Sequence, residues 1–524
     1  MAVKSAVYSN QIFFQTYLKQ AIHERNVSRM QACLARGDDP NSTFGDGNPP
    51  LVMALEMGFE EGADILLSHN KINVNRKGRG GVAALHIAAE KGYLSVIDRI
   101  FGKGGFMNIR DAEMQAPLHY AAKANQACAV RKLTSKKEAA ILIDPYDKEN
   151  TTPLIAACCR RNWDVAEALF DEGAKGLVRN DKGFTAKTIC IFQGYHRLSE
   201  KMPYDPNITE FIKRKVVSHF HGFDQTSELQ GKKFQLSGAF APLMHEQIAL
   251  NLESFFLECT QPSQFSHRHR QILLEAFYWA GIDNSSDVIL ERASKRGLTI
   301  IPAGWDQHAI DIVFFGSYMA ICNRGEGIPW RCATIEAFKI APSLITREII
   351  DKIREQNLKK AVEASEFFYF GLPKALSKAG VVIQDQRCCL LKIMAPKPIK
   401  TGICTLACGK AALRCAGILL KTENLHPKNY QDIAKAVKYE TKTWSLYSRV
   451  KVLKGYLDGH FKDSFFLGKL EVPMGTPGIV PDMQLIQRSW QVIKEKIQRN
   501  DNWAFPVIPH YDQVARRYLS VIKT

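Results

Sequence analysis

The sequence predicts a multidomain protein, with an all-α solenoid of short helical repeats over residues 1–205 and an α+β domain over residues 206–524. Three observations predict it. Apolar positions recur with a nearly constant spacing through the first part. That register breaks at YDPNITEF, from Tyr204 onward, and strand-like alternation starts only at LTIIPAGW, from Leu298. At 524 residues the chain is too long for one hydrophobic core, so a division into domains is expected on size alone.

The spacing comes first, because a missed repeat mis-assigns the whole fold. The leucines of YLKQAI (Leu18), PPLVMAL (Leu51), AALHIAAEKG (Leu85), PLHYAAK (Leu118) and PLIAACC (Leu154) lie 33, 34, 33 and 36 residues apart, and FTAKTIC continues the phase at Lys187. A small-residue helix follows most of them. Next come a second helix, such as LSVIDRIF or DVAEALFDEG, and a turn rich in Gly, Asn and Asp. This is the ankyrin pattern, T-P-L-H-x-A at a period near 33. The small residues Ala88, Ala89, Ala121, Ala122, Ala157 and Cys158 allow neighbouring helix pairs to share one continuous core. The first unit, Leu18 to Pro40, and the last, Phe184 to Glu200, depart most from the pattern, as capping units do. His86 and His119 are expected to be structural. Such an array has no chemistry of its own and offers a concave surface to a protein partner.

Composition narrows the rest. A hydrophobic content of 46% with 23% charged residues suits a folded chain rather than a disordered one. No run of about 18 apolar residues suggests a membrane span, and Met1 to Arg25 lacks the pattern of a secretory signal. The 13 cysteines are scattered and include no Cys-x-x-Cys pair, so neither a disulfide framework nor a metal site is expected. The net charge of +17 is uneven. From Gln386 to Lys454, fourteen Lys and Arg face three acids, Glu423, Asp432 and Glu440. Such a field favours an acidic partner, phosphate or an anionic membrane surface.

Candidate chemistry begins in GWDQHAIDIVFFGSYMAICNRGEG, residues 304–327. Two strand-like runs, His308 to Phe315 and Tyr318 to Asn323, flank a two-residue turn, Gly316-Ser317, of the kind that closes hairpins. Pairing Phe315 with Tyr318 sets Ile310 opposite Asn323. Alternation then puts His308, Ile310 and Ile312 on one face with Asn323 and Ile321, and makes His308 and Asn323 diagonal neighbours. An imidazole whose Nδ1–H is held by an amide oxygen is the orienting half of a nucleophilic triad. The third member needs a helix N-terminus, where the dipole lowers a thiol pKa and N–H groups remain for an oxyanion. PKPIKTGICTLACGKAALRCAGILLK supplies one. Pro396 and Pro398 forbid helix upstream, and Cys404 heads a helical pattern running to Leu420, with Cys408 and Cys415 read as small core residues along the same face.

The segment HAIDIVFFGSYMAICNRGEG resembles the His–Asn hairpin of papain-like cysteine peptidases. That resemblance implies a papain-like domain with His308 as base, Asn323 as its orienter and Cys404 as nucleophile. The order His, Asn, Cys reverses the usual papain order, so the domain would be circularly permuted. The Gln expected just before the Cys is missing from APKPIKT, the nearest being Gln384 and Gln386. An ankyrin array followed by GWxxHA…NRG and a GxC helix is also similar to ankyrin-repeat effectors that Legionella-type type IV secretion systems inject into host cells. That similarity implies a host protein bound by the repeats and an action in the host cytoplasm. The basic stretch adds a peripheral position on host membranes. No cofactor is implied. Two other function classes stay open: a non-catalytic scaffold with a degenerate protease-like fold, and an atypical nucleotide hydrolase. For the latter, GICTLACGKA has six residues between Gly402 and Gly409 and Ala411 in place of a hydroxyl, so it fails as a Walker motif.

Overall fold

A computed structural model describes residues 17–43, 47–135, 143–203, 205–221, 227–229, 232–234, 241–259, 263–282, 286–295, 297–305, 308–324, 328–329, 332–356, 359–377, 380–396, 404–423, 425–457, 483–498 and 513–516. Two compact units emerge, Met1–Ile189 with Lys201–Pro203, and Cys190–Glu200 with Tyr204–Thr524.

In the first unit, helix pairs succeed one another: Pro50–Glu56 with Glu60–Ser68, Ala84–Lys91 with Leu94–Gly102, Pro117–Lys123 with Ala127–Thr134, and Pro153–Cys159 with Trp163–Asp171. The turn inside each pair reverses the chain through one left-handed residue. Gly58, Gly92, Asn125 and Arg161 take this role at φ 66°, 72°, 58° and 60°. Each lies seven positions after the repeat leucine, so backbone geometry keeps the sequence period. Glycine and asparagine adopt this conformation at little cost; the arginine does not.

Ala88, Ala89, Ala121, Ala122, Ala157 and Cys158 are fully buried, which gives the close helix approach that the small side chains permit. His119 Nδ1 accepts the Ala116 N–H at 3.1 Å, and its Nε2 meets the Thr151 carbonyl of the next repeat at 2.8 Å. His86 makes the same pair of bonds with Ala83 at 3.0 Å and Gln115 at 3.1 Å. Each imidazole therefore ties its own helix start to the following turn. Asn side chains stitch the turns in the same way. Asn75 Oδ1 accepts the Phe106 N–H at 2.8 Å while its Nδ2 donates to the Gly104 carbonyl at 2.9 Å.

The second unit is mixed. Its helices are α1 (Pro206–His221), α2 (Ala241–Glu258), α3 (His267–Ile282), α4 (Ser286–Ser294), α5 (Arg347–Glu355), α6 (Gln386–Ile393), α7 (Cys404–Thr422), α8 (Tyr430–Leu457) and α9 (Met483–Gln498), with short helical turns over Ala361–Ala375. A small hairpin, β1 (Ser227–Leu229) and β2 (Lys232–Phe234), precedes a four-stranded antiparallel sheet in the order β3 (Thr299–Trp305), β4 (His308–Phe315), β5 (Tyr318–Cys322), β6 (Ile335–Lys339).

The Gly316-Ser317 turn closes the central hairpin in the register expected from sequence, with Phe315 opposite Tyr318 and Asp311 opposite Cys322. Gly316 has φ 56°, which this turn requires and glycine supplies. One sheet face carries Ile301, Ile310, Ile312, Phe314, Ile321 and Phe338 into a core with α4, α5 and the helical turns at Phe368 and Leu372. Helix α7 covers the other face. There Asp311 Oδ1 pairs with His245 Nε2 of α2 at 2.9 Å, and Gly409 of α7 leaves room for the Ile248 side chain of α2. A Cβ at Gly409 would lie 2.5 Å from Ile248 Cδ1 and 3.9 Å from Asp311 Oδ2.

Candidate active site

The site sits where the β4–β5 ladder ends. Pairing stops at Asp311 and Cys322, and the next bonded positions would be Ala309 and Arg324. Their groups are instead taken by a side chain of α7: Cys408 Sγ donates to the Ala309 carbonyl at 3.2 Å and accepts the Arg324 N–H at 3.3 Å. A thiol thus stands in for a main-chain hydrogen bond, and the hairpin opens around it. Beyond this wedge, His308 Nε2 and Asn323 Oδ1 meet at 3.0 Å, with the two residues 8% and 0% exposed. Buried polar groups this close must satisfy one another or carry a desolvation penalty. The ring nitrogen held is Nε2, not the Nδ1 expected from sequence, because the imidazole approaches Asn323 with its far edge.

Tyr369, buried from the turn Phe367–Gly371, leaves its hydroxyl without a hydrogen-bond partner among the described residues, and burial pushes its phenol well above the usual tyrosine range. Asn323 N–H donates to the Thr334 carbonyl at 2.9 Å, which fixes the main chain where β5 has ended.

Cys404 is the first residue of α7, as the prolines upstream imply. Its side chain lies outside the described residues, as do Gly325 and the 397–403 segment that leads into the helix. The direction of α7 is clear from later turns: Cys408 contacts the open end at Ala309, and Cys415 hydrogen-bonds Cys322 further inside the sheet. The helix start therefore points to the end of the sheet that holds His308. Burial, then the bond to Cys415, drives the Cys322 thiol far above the usual range, so Cys322 serves as packing rather than as a nucleophile.

The other sequence-level residues find structural work. Gln384 Nε2 donates to Glu336 Oε1 at 2.8 Å and to the Ala337 carbonyl at 3.1 Å, so it braces β6. Gln386 opens α6, capped by Asp385. The basic stretch 386–454 is not one exposed strip; it runs through α6, α7 and α8, and α8 buries sixteen residues, Arg449 among them. Among the described residues, no group of three or more His, Cys, Asp and Glu is placed to hold a metal ion, and no helix is long and apolar enough to cross a membrane. Sequence reasoning missed Tyr369, the His245–Asp311 pair and the bridging role of Cys408. Only the four-residue spacing of Cys404 and Cys408 on one helical face pointed toward the last.

The family model for ankyrin repeats matches in three copies, over residues 18–111 and 85–180. Alpha-latroinsectotoxin-Lt1a of Latrodectus tredecimguttatus is 33% identical over 169 residues, 32% of this chain and 12% of the toxin. The target of rapamycin complex 2 subunit AVO2 of Saccharomyces cerevisiae is 26% identical over 111 residues, 21% of this chain and 26% of that protein. The probable 26S proteasome regulatory subunit p28 of the same yeast is 28% identical over 122 residues, 23% of this chain and 53% of that protein. The chain thus spans from about an eighth to about half of these relatives' own length. With the period, the histidine ties and the family match in agreement, residues 18–180 are an array of ankyrin repeats, a fold that binds other proteins.

Proposed function

We propose that the second unit is a cysteine-dependent acyl hydrolase or transferase of papain-like type, and that the ankyrin array holds its protein target. The observation that carries this reading is the buried 3.0 Å contact between His308 Nε2 and Asn323 Oδ1, at the end of the sheet toward which the Cys404 helix points. With Nε2 committed to Asn323, the base toward a thiol is Nδ1. The Cys404 thiol would pass its proton to that nitrogen, and the thiolate would attack a substrate carbonyl. The oxyanion would rest on N–H groups of the first turn of α7, which take the place of the missing Gln. Collapse of the adduct breaks the bond to the leaving group, which takes the proton back from His308. Water or an amine then releases the acyl group from sulfur, giving hydrolysis or transfer. The similarity to type IV effectors adds that the target is a host protein met in the host cytoplasm.

A reactive thiol tests this reading directly. Beside an imidazolium at a helix N-terminus, a thiol ionises below the usual value of about 8.5. Full-length protein treated briefly with iodoacetamide at neutral pH should alkylate Cys404 ahead of the exposed Cys128 and Cys389, and His308→Ala should slow that labelling. Labelling of Cys404 no faster than of Cys128, unaffected by His308→Ala, would leave the second unit as a binding module.

A further inference from the structure

Part of the positive charge of α7 and α8 is hidden rather than displayed. Arg449 of α8 is 8% exposed, and its Nε and Nη1 make no hydrogen bond. Arg414 of α7, largely buried, likewise leaves its Nε without a partner. Lys410, one turn earlier on α7, is also largely out of solvent. Burial, and then the charges of Arg449, Lys496 and Arg324, push its ammonium well below the usual lysine range. Burial alone brings the Arg449 guanidinium down to about 10, and burial with Arg324 does the same to Arg414. Among the described residues no carboxylate acts on these three cations and no ion pair includes them, although Arg414 Nη1 donates to the Met394 carbonyl at 3.3 Å.

Burying cations without a counter-charge is strongly unfavourable, and proteins otherwise pair or neutralise them. Lys410 and Arg414 lie four residues apart on one face of α7, and with the buried, unpartnered Arg449 of α8 they make such a set unless an anion completes it. We propose that Lys410, Arg414 and Arg449 form the floor of a binding site for a compact, soluble anion carrying more than one phosphate group. Guanidinium forks match phosphate oxygens in pairs, and a lysine adds a point charge. Lys496, at the exposed edge of α9, marks the solvent side of the set. The depth of Arg449 selects a small ligand, since neither a bilayer surface nor a folded partner reaches a side chain 8% exposed. The site uses none of His308, Asn323 and Cys404, so it stands or falls apart from the acyl-transfer reading.

Tripolyphosphate serves as probe, with the full-length protein followed by thermal melting and calorimetric titration at constant ionic strength. The expected result is a saturable rise in melting temperature, because a ligand that binds only the folded state stabilises it. Arg449→Met and Lys410→Met should each melt higher than the parent without the anion, having lost an unpaired charge. Each should also bind tripolyphosphate at least about tenfold more weakly, the loss expected for one charged hydrogen bond. Arg449→Lys, which keeps the charge and loses the fork, should fall between, and it decides the matter if the Met variants fold poorly. No rise with tripolyphosphate, the same rise with sodium chloride at matched ionic strength, or a rise undiminished in the variants would overturn the proposal. Arg449-dependent co-sedimentation with phosphoinositide vesicles, without binding of tripolyphosphate, would overturn it equally, by showing a membrane headgroup to be the ligand.

Discussion

Cys408 Sγ lies 3.2 Å from the Ala309 carbonyl and 3.3 Å from the Arg324 nitrogen, filling the first missing rung of the β4–β5 ladder. Through this contact one side chain of α7 bridges the His308 strand and the segment that follows β5, where the ladder has ended. Replacing it separates structural support from chemistry. Cys408→Val should strand a carbonyl and an N–H in the interior and cost about 1–3 kcal/mol in a denaturant melt. Cys408→Ser keeps a donor and acceptor there and should recover a large part of that loss.

In the proposed reaction Asn323 acts through His308 rather than on a substrate. Asn323→Ala should lower the alkylation rate of Cys404 toward that of His308→Ala while the exposed Cys128 reacts as before. Its stability cost should be about 1–3 kcal/mol, because His308 Nε2 is left buried without its oxygen. Unchanged Cys404 labelling in a folded Asn323→Ala protein would remove Asn323 from the site.

The His245–Asp311 pair, 2.9 Å apart and at most 1% exposed on each side, lies under the Gly409 turn of α7. Breaking it on one side should be severe. His245→Leu or Asp311→Ala alone is expected to cost about 1–3 kcal/mol, because a polar group stays buried without this partner. Apolar replacement of both together should cost much less, and a double-mutant cycle in urea measures the difference.

The repeat histidines make the array acid-sensitive. Burial, opposed by the bond to the Thr151 carbonyl, lowers His119 to about 4, and burial lowers His86 in the same direction. The unfolded chain, with an ordinary value near 6.5, therefore binds more protons than the folded one in the window between. The stabilisation is complete above about pH 6.5 and is lost as pH falls toward 4, by roughly 3 kcal/mol for His119 at about 1.4 kcal/mol per pH unit. Hydrogen exchange of the Pro117–Lys123 helix at pH 7 and pH 5 checks this, and His119→Gln should flatten the difference.

Features set by a few consecutive residues were legible without a structure. The repeat follows from leucines 33 to 36 positions apart, because each ankyrin unit is one local supersecondary element whose turn residue sits at a constant offset. The meeting of His308 with Asn323 follows from a two-residue turn and strand alternation, both short-range. The helix start at Cys404 follows from Pro396 and Pro398 upstream.

Tertiary packing decided the rest. Which imidazole nitrogen faces Asn323 depends on the side-chain rotamer of His308, and a strand pattern carries no such information. Cys408 looked like a small core residue from sequence, because its partners, Ala309 and Arg324, are 99 and 84 positions away. The basic stretch read as a surface, yet the helices that carry it cross the core. Linear charge counts ignore which face of a helix is covered, so only packing revealed that Lys410, Arg414 and Arg449 are turned away from solvent. Sequence by itself determined the repeats and the hairpin register through local stereochemistry. The closure of the site and the buried cations arise from contacts between segments about 40 to 100 residues apart, which only the folded chain brings together.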